Sequence, residues 1–298
     1  MQLDSLVQEG WVYHDRESQR LGEELESVHF SEVSEQNLGP FLQLSNHTIG
    51  EHLGDWKRAL NLAEKAISQV NESQISEQGF TQLAVVYYMN QQISKSHSAE
   101  IKSLQRSQDA MSTYINVKAL LASALAGSGS IGEALDLVTT INQFGRGIDI
   151  DGAFNRSLAI TNNNVASDLL GLSKLPNRST TLMMDCAFAA LFFWKRCGTW
   201  ENEERALYLL ALVHNRTKKF KQALEFTQQA LKVIHSNGKD DIDEAFIRLA
   251  AARAHIGLDD LARYKIELHK ADNLAKSSMD ASLLAMYENQ KSEFAQTA

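Results

Sequence analysis

The stretch ERALYLLALVHNRTKKFKQALEFTQQALKVIHSN, residues Glu204–Asn237, decides the fold of this chain. Apolar and small residues recur at helical spacing on both sides of a polar break at Asn215–Lys219. This pattern predicts two amphipathic helices joined by a tight turn. The small residues Ala211, Ala223 and Ala230 stand where two helices must approach closely, as in a packed helical hairpin.

Related hairpins recur through most of the chain. Two further matches are convincing: Leu38–Val70, whose turn is Leu53–Trp56, and Ile115–Phe144, whose turn contains GSGSIG. Looser matches are predicted at 3–27, at Glu77–Ser112 with a second helix at Ala99–Met111, at 164–197 with a turn at Gly171–Ser179, and around 249–262. A last helix at about Asp280–Phe294 is expected to cover the open end.

The recurring small residues at hairpin contacts, Ala59, Ala134, Ala223 and Ala262, set the fold prediction. The chain is expected to be all-α, a right-handed α-solenoid of about six to seven hairpins with a C-terminal capping helix. The predicted organisation is a divergent N-terminal hairpin (1–37), the repeats (38–276), and the capping helix with a tail (277–298). Terminal repeats diverge because one of their faces meets water.

The composition is that of an acidic chain with ample apolar residues. Its 298 residues are 44% apolar and carry a formal net charge of −8. Lysines and arginines are scattered, so no broad phosphate-binding face and no direct nucleic-acid binding are expected. The most apolar run, Leu182–Trp194, is shorter than the ~20 residues of a membrane span. The amino terminus lacks a cationic start and an apolar core, which favours a cytoplasmic location.

Three glycine-rich or acidic motifs have structural explanations. GSGSIG satisfies G-x-G-x-x-G, but a dinucleotide site needs a preceding strand, and Val117–Ala126 has a helical pattern. GIDIDG (147–152) and GKDDIDE (238–244) lack the alternating ligands and closing glutamate of a calcium loop. Acids placed just before a helix are typical of helix capping. A turn is therefore predicted for the first motif and capping for the other two.

Neither a metal site nor a catalytic site is predicted, and no cofactor is expected. His47 and His52 lie five residues apart, whereas a zinc-protease helix has histidines four apart with a glutamate beside the first. On an α-helix these two side chains point in different directions. Cys186 and Cys197 are too far apart on one helix for a disulfide, so both are expected to be reduced thiols.

The helix predicted at Thr180–Cys197 carries more apolar surface than one stacked hairpin ordinarily needs. A helix that is apolar all round is usually buried, here under the Gly171–Ser179 loop. The alternative is a homodimer contact through Phe192, Phe193 and Trp194, since a two-fold interface is self-complementary. Both interpretations stay open at the level of sequence.

The stretch at 204–237 resembles a tetratricopeptide (TPR) repeat, and the resemblance extends over about Leu38 to Lys276. It implies a non-enzymatic scaffold that binds a peptide or protein segment in a groove formed by the first helices of the hairpins. Carried over to this chain, the groove residues are Asn163, Asn164, Ser167, Arg205, Tyr208, Leu212, Asn215, Arg216, Arg248 and His255. The alternative for these polar residues is plain solvation.

The residue types in this predicted groove indicate which ligands it could bind. Asparagines can bond an extended backbone, and arginines can hold a carboxylate in a bidentate pair. The set lacks the Lys/Asn pairing of the chaperone-tail carboxylate clamp, so that clamp is not predicted. TPR-fold peptide-pheromone receptors often carry a DNA-binding helix-turn-helix, which the first forty residues do not resemble. The rival hypothesis is an enzyme or a sensor of small molecules or signalling peptides, with a site inside the solenoid curve.

Overall fold

The structure, a computed structural model, describes residues 2–148 and 152–295. Within these ranges the chain is helical throughout and contains no strand, which confirms the all-α prediction. The acids of GIDIDG, Asp149 and Asp151, lie outside the described residues. The α-helices are α1 Leu3–Tyr13, α2 Ser18–Glu26, α3 Leu38–Ser45, α4 Trp56–Ile67, α5 Glu77–Met89, α6 Ile93–Arg106, α7 Ala110–Gly127, α8 Ile131–Gly147, α9 Ala153–Leu170, α10 Asn177–Cys197, α11 Trp200–Arg216, α12 Phe220–Asn237, α13 Asp241–Ile256, α14 Leu261–Ser278 and α15 Ala281–Ala295.

The chain forms two compact units, Met1–Ser157 (unit 1) and Leu158–Ala298 (unit 2). Each has its own apolar interior. Buried side chains of unit 1 include Leu21, Phe41, Leu42, Ile49 and Val86. In unit 2, one cluster lies between α13, α14 and α15 and another between α11, α12 and α13. None of the described helices is long and apolar enough to cross a membrane.

The hairpin turns share one backbone geometry. A single residue with left-handed φ ends the first helix of five hairpins: Gly54, Gln91, Gly129, Lys218 and Asp259. In the last four of these turns, the next N–H donates to the carbonyl five residues earlier. This is the helix-ending motif in which a left-handed residue lets the chain reverse while orphan carbonyls stay bonded. The fold is therefore a repeat of one hairpin with variable sequence.

Buried asparagines join successive hairpins in both units. In unit 1, Asn46 Nδ2 donates to the Gln82 carbonyl oxygen, 36 residues on, over 3.0 Å. In unit 2, Asn215 Nδ2 donates to the Ala250 carbonyl oxygen, 35 residues on, over 2.8 Å. Each bond reaches a first helix one repeat away. These bonds fix the stacking of neighbouring hairpins because a buried amide left unpaired is costly.

Acidic and hydroxyl residues begin several helices. Asp55, Ser76, Asp109 and Asp260 each accept a hydrogen bond from the backbone N–H three residues on. Asp240 accepts from the N–H groups of residues 242 and 243 and begins α13. The capping prediction for GKDDIDE is thereby confirmed. GSGSIG forms the turn between α7 and α8, as predicted.

One predicted helix start is wrong. The second helix of the third hairpin begins at Ile93 rather than at Ala99. The turn before it contains no glycine, and Gln91 takes the left-handed conformation with φ 60°. Because the sequence signal for such a turn is glycine, the boundary was placed too late. Neither Cys186 nor Cys197 takes part in a disulfide, as predicted.

The segment Asn46–His52 is a π-helix that continues α3. A π-helix hydrogen-bonds each residue to the fifth one along, so side chains five apart share a side. His47 and His52 therefore meet, with their Nε2 atoms 3.1 Å apart. The expectation that these histidines point in different directions is wrong, because it assumed α-helical rotation per residue.

Candidate functional site

One face of α11 stays open along its length in unit 2. Arg205, Tyr208, Leu212 and Arg216 follow one another at helical spacing, and each is at least partly exposed. The opposite side packs into the interior through Ala206, Leu207, Leu210, Ala211 and Val213. Four of the five groove residues predicted on α11 thus share one outward face, hereafter the α11 face.

Asn215, the fifth, is not part of that face. Its side chain is buried, and its amide is committed to the Ala250 carbonyl. An asparagine in this position ties α11 to α13. The sequence offered no means of separating a structural asparagine from a binding one, since both lie at the end of a first helix.

Arg248 and His255 on α13 are also engaged within unit 2. Arg248 donates to Glu244 Oε1 over 2.7 Å and to Glu267 Oε2 over 2.7 Å, so it lies between α13 and α14. His255 is buried. The turn residues Lys218 and Asp259 are 41 positions apart (259 − 218), which makes His255 the counterpart of the buried His214. The assignment of Arg248 and His255 to the groove stays a prediction.

The α9 residues of the predicted groove lie on the outside of unit 2. Asn164 and Ser167 are exposed and Asn163 is partly exposed. Their side chains make hydrogen bonds within α9 itself, such as the one that Ser167 Oγ donates to the Asn163 carbonyl oxygen over 2.9 Å. Arg216 at the end of α11 donates to the carbonyl oxygens of Leu172 and Ser173. Arg216 thus holds the α9–α10 loop beside the α11 face.

A buried carboxyl group underlies the amino-terminal end of the α11 face. Glu204 is fully buried, and its neighbour Arg205 lies between it and Asp243, with Nε 2.8 Å from Asp243 Oδ2 and 3.5 Å from Glu204 Oε1. Burial, aided by the hydrogen bond and negative charge of Asp243, raises the pKa of Glu204 to about 9. Glu204 is therefore protonated at neutral pH.

Sequence reasoning missed Glu204, although a signal was present. Acids in the first turns of a helix are usually solvated and complement its positive end. Glu204, however, stands three and seven residues before Leu207 and Ala211, in phase with the buried side of α11. A carboxyl group on an apolar stripe indicates either a buried proton or a partner cation.

The C-terminal helix reaches the α11 face. Gln290 Nε2 on α15 donates to Tyr208 Oη over 2.9 Å. α15 itself is anchored by Tyr287, which is fully buried and donates from its hydroxyl to Asp272 Oδ1 over 2.8 Å. Burial raises the pKa of Tyr208, so its hydroxyl remains a neutral donor and acceptor. The open part of the face consequently runs from Arg205 to Leu212 with one edge formed by α15.

The proposed dimer contact falls largely in the interior. Phe193 is fully buried and Trp194 is 8% exposed, while Phe192 is partly exposed and packs its ring against Arg196. Phe193 and Trp194 therefore cannot supply two of the three anchors of a homodimer. The alternative of a buried helix describes these two residues, because α10 packs on α11 within the same unit.

Unit 1 contains a cavity of about 250 Å³ that the sequence did not suggest. Its floor is apolar, formed by Phe80, Leu83 and Tyr87 of α5. Lys95 and Lys102 of α6 stand at its rim, their ammonium groups 5.2 Å from the Tyr87 ring and 5.6 Å from the Phe80 ring. Both ammonium groups are already paired, Lys102 with Glu72 over 2.9 Å and Lys95 with Glu64 over 3.3 Å. The cavity could therefore accept a small, largely apolar molecule.

Comparison with solved structures finds the same kind of fold. RapI in its apo form matches over 98% of this chain and 81% of its own length, with a TM-score of 0.51 and 10% identity. A Podosopora anserina protein described as a kinesin light chain with nearly identical TPR-like repeats matches over 67% of this chain and 96% of its own (TM-score 0.45, 13% identity). BtubC (BKLC) from P. vanneervenii matches over 85% of this chain and 94% of its own length, with a TM-score of 0.45 and 13% identity.

No protein-family model matches the sequence, and a search of curated proteins finds no match either. The chain has a TPR-like helical-repeat fold. At 10% identity the likeness to RapI establishes the fold and says nothing of function.

Proposed function

We propose that this chain is a cytoplasmic, non-enzymatic interaction module that binds an extended peptide or protein segment on the α11 face of unit 2. The observation that carries the proposal is the open row of Arg205, Tyr208 and Leu212 on a helix whose other side is buried. First helices of TPR-like hairpins form the groove in which such proteins hold peptides, as the resemblance implies.

The chemistry of the row suits a peptide with alternating apolar and acidic side chains. Leu212 offers an apolar contact and Tyr208 an aromatic ring with a neutral hydroxyl. Arg205 is 59% exposed in its side chain and is held in place by Asp243. Because Asp243 already neutralises it in part, Arg205 offers a directed hydrogen bond to a peptide carboxylate more than a free charge.

A peptide-display selection tests the proposal. Random extended peptides would be selected on the immobilised full chain, and the enriched peptides would then be titrated. We expect Arg205→Glu to weaken binding by at least about 10-fold, since a charge-assisted bond contributes roughly 1.5–3 kcal/mol. Lys221→Glu makes the same charge change at an exposed site on α12 and should leave binding unchanged. Equal binding by wild type and Arg205→Glu contradicts the proposal.

The unit 1 cavity supports the rival function, a small-molecule sensor. Native mass spectrometry of the purified chain would then show a co-purifying molecule. Replacing Leu83 by Trp, which fills the cavity floor, should expel it, whereas Arg205→Glu should not. A bound molecule of this kind, together with a failed peptide selection, would favour the sensor.

A further inference from the structure

Three histidines from two separate segments meet at one point of unit 1. His14 directly follows α1, and His47 and His52 come from the π-helical segment. One ring nitrogen of each lies within 4.8 Å of the others. The ring centroids are 4.5 Å apart for His47 and His52, 5.0 Å for His14 and His47, and 5.4 Å for His14 and His52.

The closest pair already has the spacing of metal ligands. Two nitrogens that each lie about 2.0–2.1 Å from a tetrahedral zinc ion are about 3.3 Å apart. The Nε2 atoms of His47 and His52 are 3.1 Å apart. An α-helix could not place residues five apart in this way, so the π-helical turn is what creates the pair.

In two of the three histidines, the other ring nitrogen is held by an acceptor. His47 Nδ1 lies 2.5 Å from Glu51 Oε2, and His14 Nδ1 lies 2.8 Å from the Trp11 carbonyl oxygen. A carboxylate and a carbonyl can only accept, so Nδ1 of His47 and Nδ1 of His14 each carry a proton, and in the neutral ring Nε2 then keeps its lone pair. Histidines that ligate metals are usually oriented by such carboxylate or carbonyl partners.

We propose that His14, His47 and His52 bind one zinc ion through their Nε2 atoms, with the fourth position open to water. Three neutral imidazoles without a thiolate suit zinc, and three protein ligands leave zinc a free position. His52 is exposed, so an ion can enter without rearrangement of the core.

The ion would join the first hairpin to the second. His14 ends α1, whereas the other two ligands continue α3, and 33 residues separate His14 from His47 (47 − 14). A cross-link of this length restricts the unfolded chain and holds the terminal hairpin against its neighbour. The site would thus stabilise the contact between these two hairpins.

Zinc titration of the full chain, without a histidine tag and stripped with a chelator, tests the site. We expect one zinc ion per chain by competition with a chromophoric chelator. His52→Gln should weaken zinc binding at least about 10-fold, because it removes a ligand. Glu51→Gln should weaken zinc binding about 10-fold, because the Glu51 carboxylate orients His47. His97→Gln, an exposed histidine on α6 outside the cluster, is the matched control and should bind as wild type.

Cobalt offers a second measurement of the geometry. A tetrahedral Co²⁺ complex absorbs strongly in the visible range, and the wild type should show this spectrum while the double variant His47→Gln/His52→Gln should not. Circular dichroism of the metal-free variants checks that they are folded, and the exposed His52 gives the variant least disturbed by substitution. Saturable zinc binding that survives the double variant overturns the proposal, as does the absence of binding by the folded wild type.

Discussion

In both units a buried asparagine bonds one repeat to the next, but the helical segments that contain these asparagines end differently. Asn46 in unit 1 and Asn215 in unit 2 both donate to a carbonyl about one repeat away. Asn215 belongs to a regular α-helix closed by Lys218, whereas Asn46 begins a π-helix closed by Gly54. At these turns the Lys219 N–H donates to the carbonyl oxygen five residues earlier, whereas the Asp55 N–H donates to the carbonyl oxygen six residues earlier.

The turn in unit 1, closed by a bond over six residues, contains one residue more than the turn in unit 2, and this changes which side chains meet. The extra residue rotates the side chains of the π-helical segment relative to an α-helix and brings His47 beside His52. In unit 2 the regular register instead keeps Arg205, Tyr208 and Leu212 on one face. A repeat can therefore tolerate an inserted residue while its stacking bond is kept, and the insertion changes which side chains come together.

The largest expected effect comes from the π-helical segment. A Cβ added at Gly50 would lie 2.6 Å from the Trp56 ring, so Gly50→Ala must displace a buried aromatic side chain. We expect a loss of about 2–3 kcal/mol in the free energy of unfolding. Gly127→Ala, at a helical site with open space, should be neutral or stabilise by up to about 1 kcal/mol.

Urea denaturation of both variants measures the difference. Equal midpoints for Gly50→Ala and wild type would mean that the π-helical segment and Trp56 are packed less tightly than described. A loss in the Gly127→Ala control would instead indicate a general sensitivity to glycine replacement.

The second effect concerns Glu204 in unit 2 and depends on pH. Its folded pKa of about 9 lies above its ordinary value of 4.5, so the folded chain keeps a proton that the unfolded chain releases between these values. Stability from this group is complete below about pH 4.5 and is lost as the pH rises toward 9. Glu204→Gln, a permanent mimic of the protonated form, should gain on the order of 1–3 kcal/mol at pH 8 and almost nothing at pH 5.

Melting temperatures of Glu204→Gln and wild type across pH 5–9 test this expectation. The difference between the two proteins should widen with pH, which removes contributions common to both. Glu225→Gln on the exposed side of α12 serves as control. A constant difference across the range would contradict a buried proton at Glu204.

The asparagine bonds come next in size. Asn215→Ala removes a buried hydrogen bond and should cost about 1–2 kcal/mol. Asn46→Ala should cost somewhat more, because Asn46 Nδ2 also lies 3.0 Å from Gln82 Oε1. Asn164→Ala, at an exposed position, should stay within about 0.5 kcal/mol of wild type. Urea midpoints rank the three, and an Asn46→Ala protein as stable as Asn164→Ala would remove the stacking role in unit 1.

The smallest effect compares equivalent turns. Gln91 and Lys218 hold left-handed φ angles of 60° and 57° without being glycine. Replacing either by glycine relieves that strain but adds freedom to the unfolded chain, so each change should stabilise by no more than about 1 kcal/mol. Matching shifts in melting temperature would support a common turn geometry. Destabilisation by only one of them would show that the two turns are held differently.

Periodicity in the sequence by itself determined the helical hairpins. Small residues such as Ala223 and polar breaks such as Asn215–Lys219 express local preferences and amphipathic spacing, which need no knowledge of distant contacts. The start of α6 escaped this reasoning because Gln91 takes a conformation for which only glycine is a sequence signal. The outward row on α11 was also predictable, since it is the complement of the apolar stripe.

Only the tertiary structure decided which polar residues are engaged. Asn215, Arg248 and Arg216 are as polar as Arg205 in sequence, yet they bond a carbonyl, two glutamates and a loop, respectively. Glu204 keeps a proton because a neighbouring helix covers it with Asp243, and His14 meets His47 because a π-helical turn lies against the first hairpin. The two glutamates of Arg248 lie 4 and 19 residues away. The other partners come from residues 33–44 positions away, a separation at which spacing along one helix carries no information.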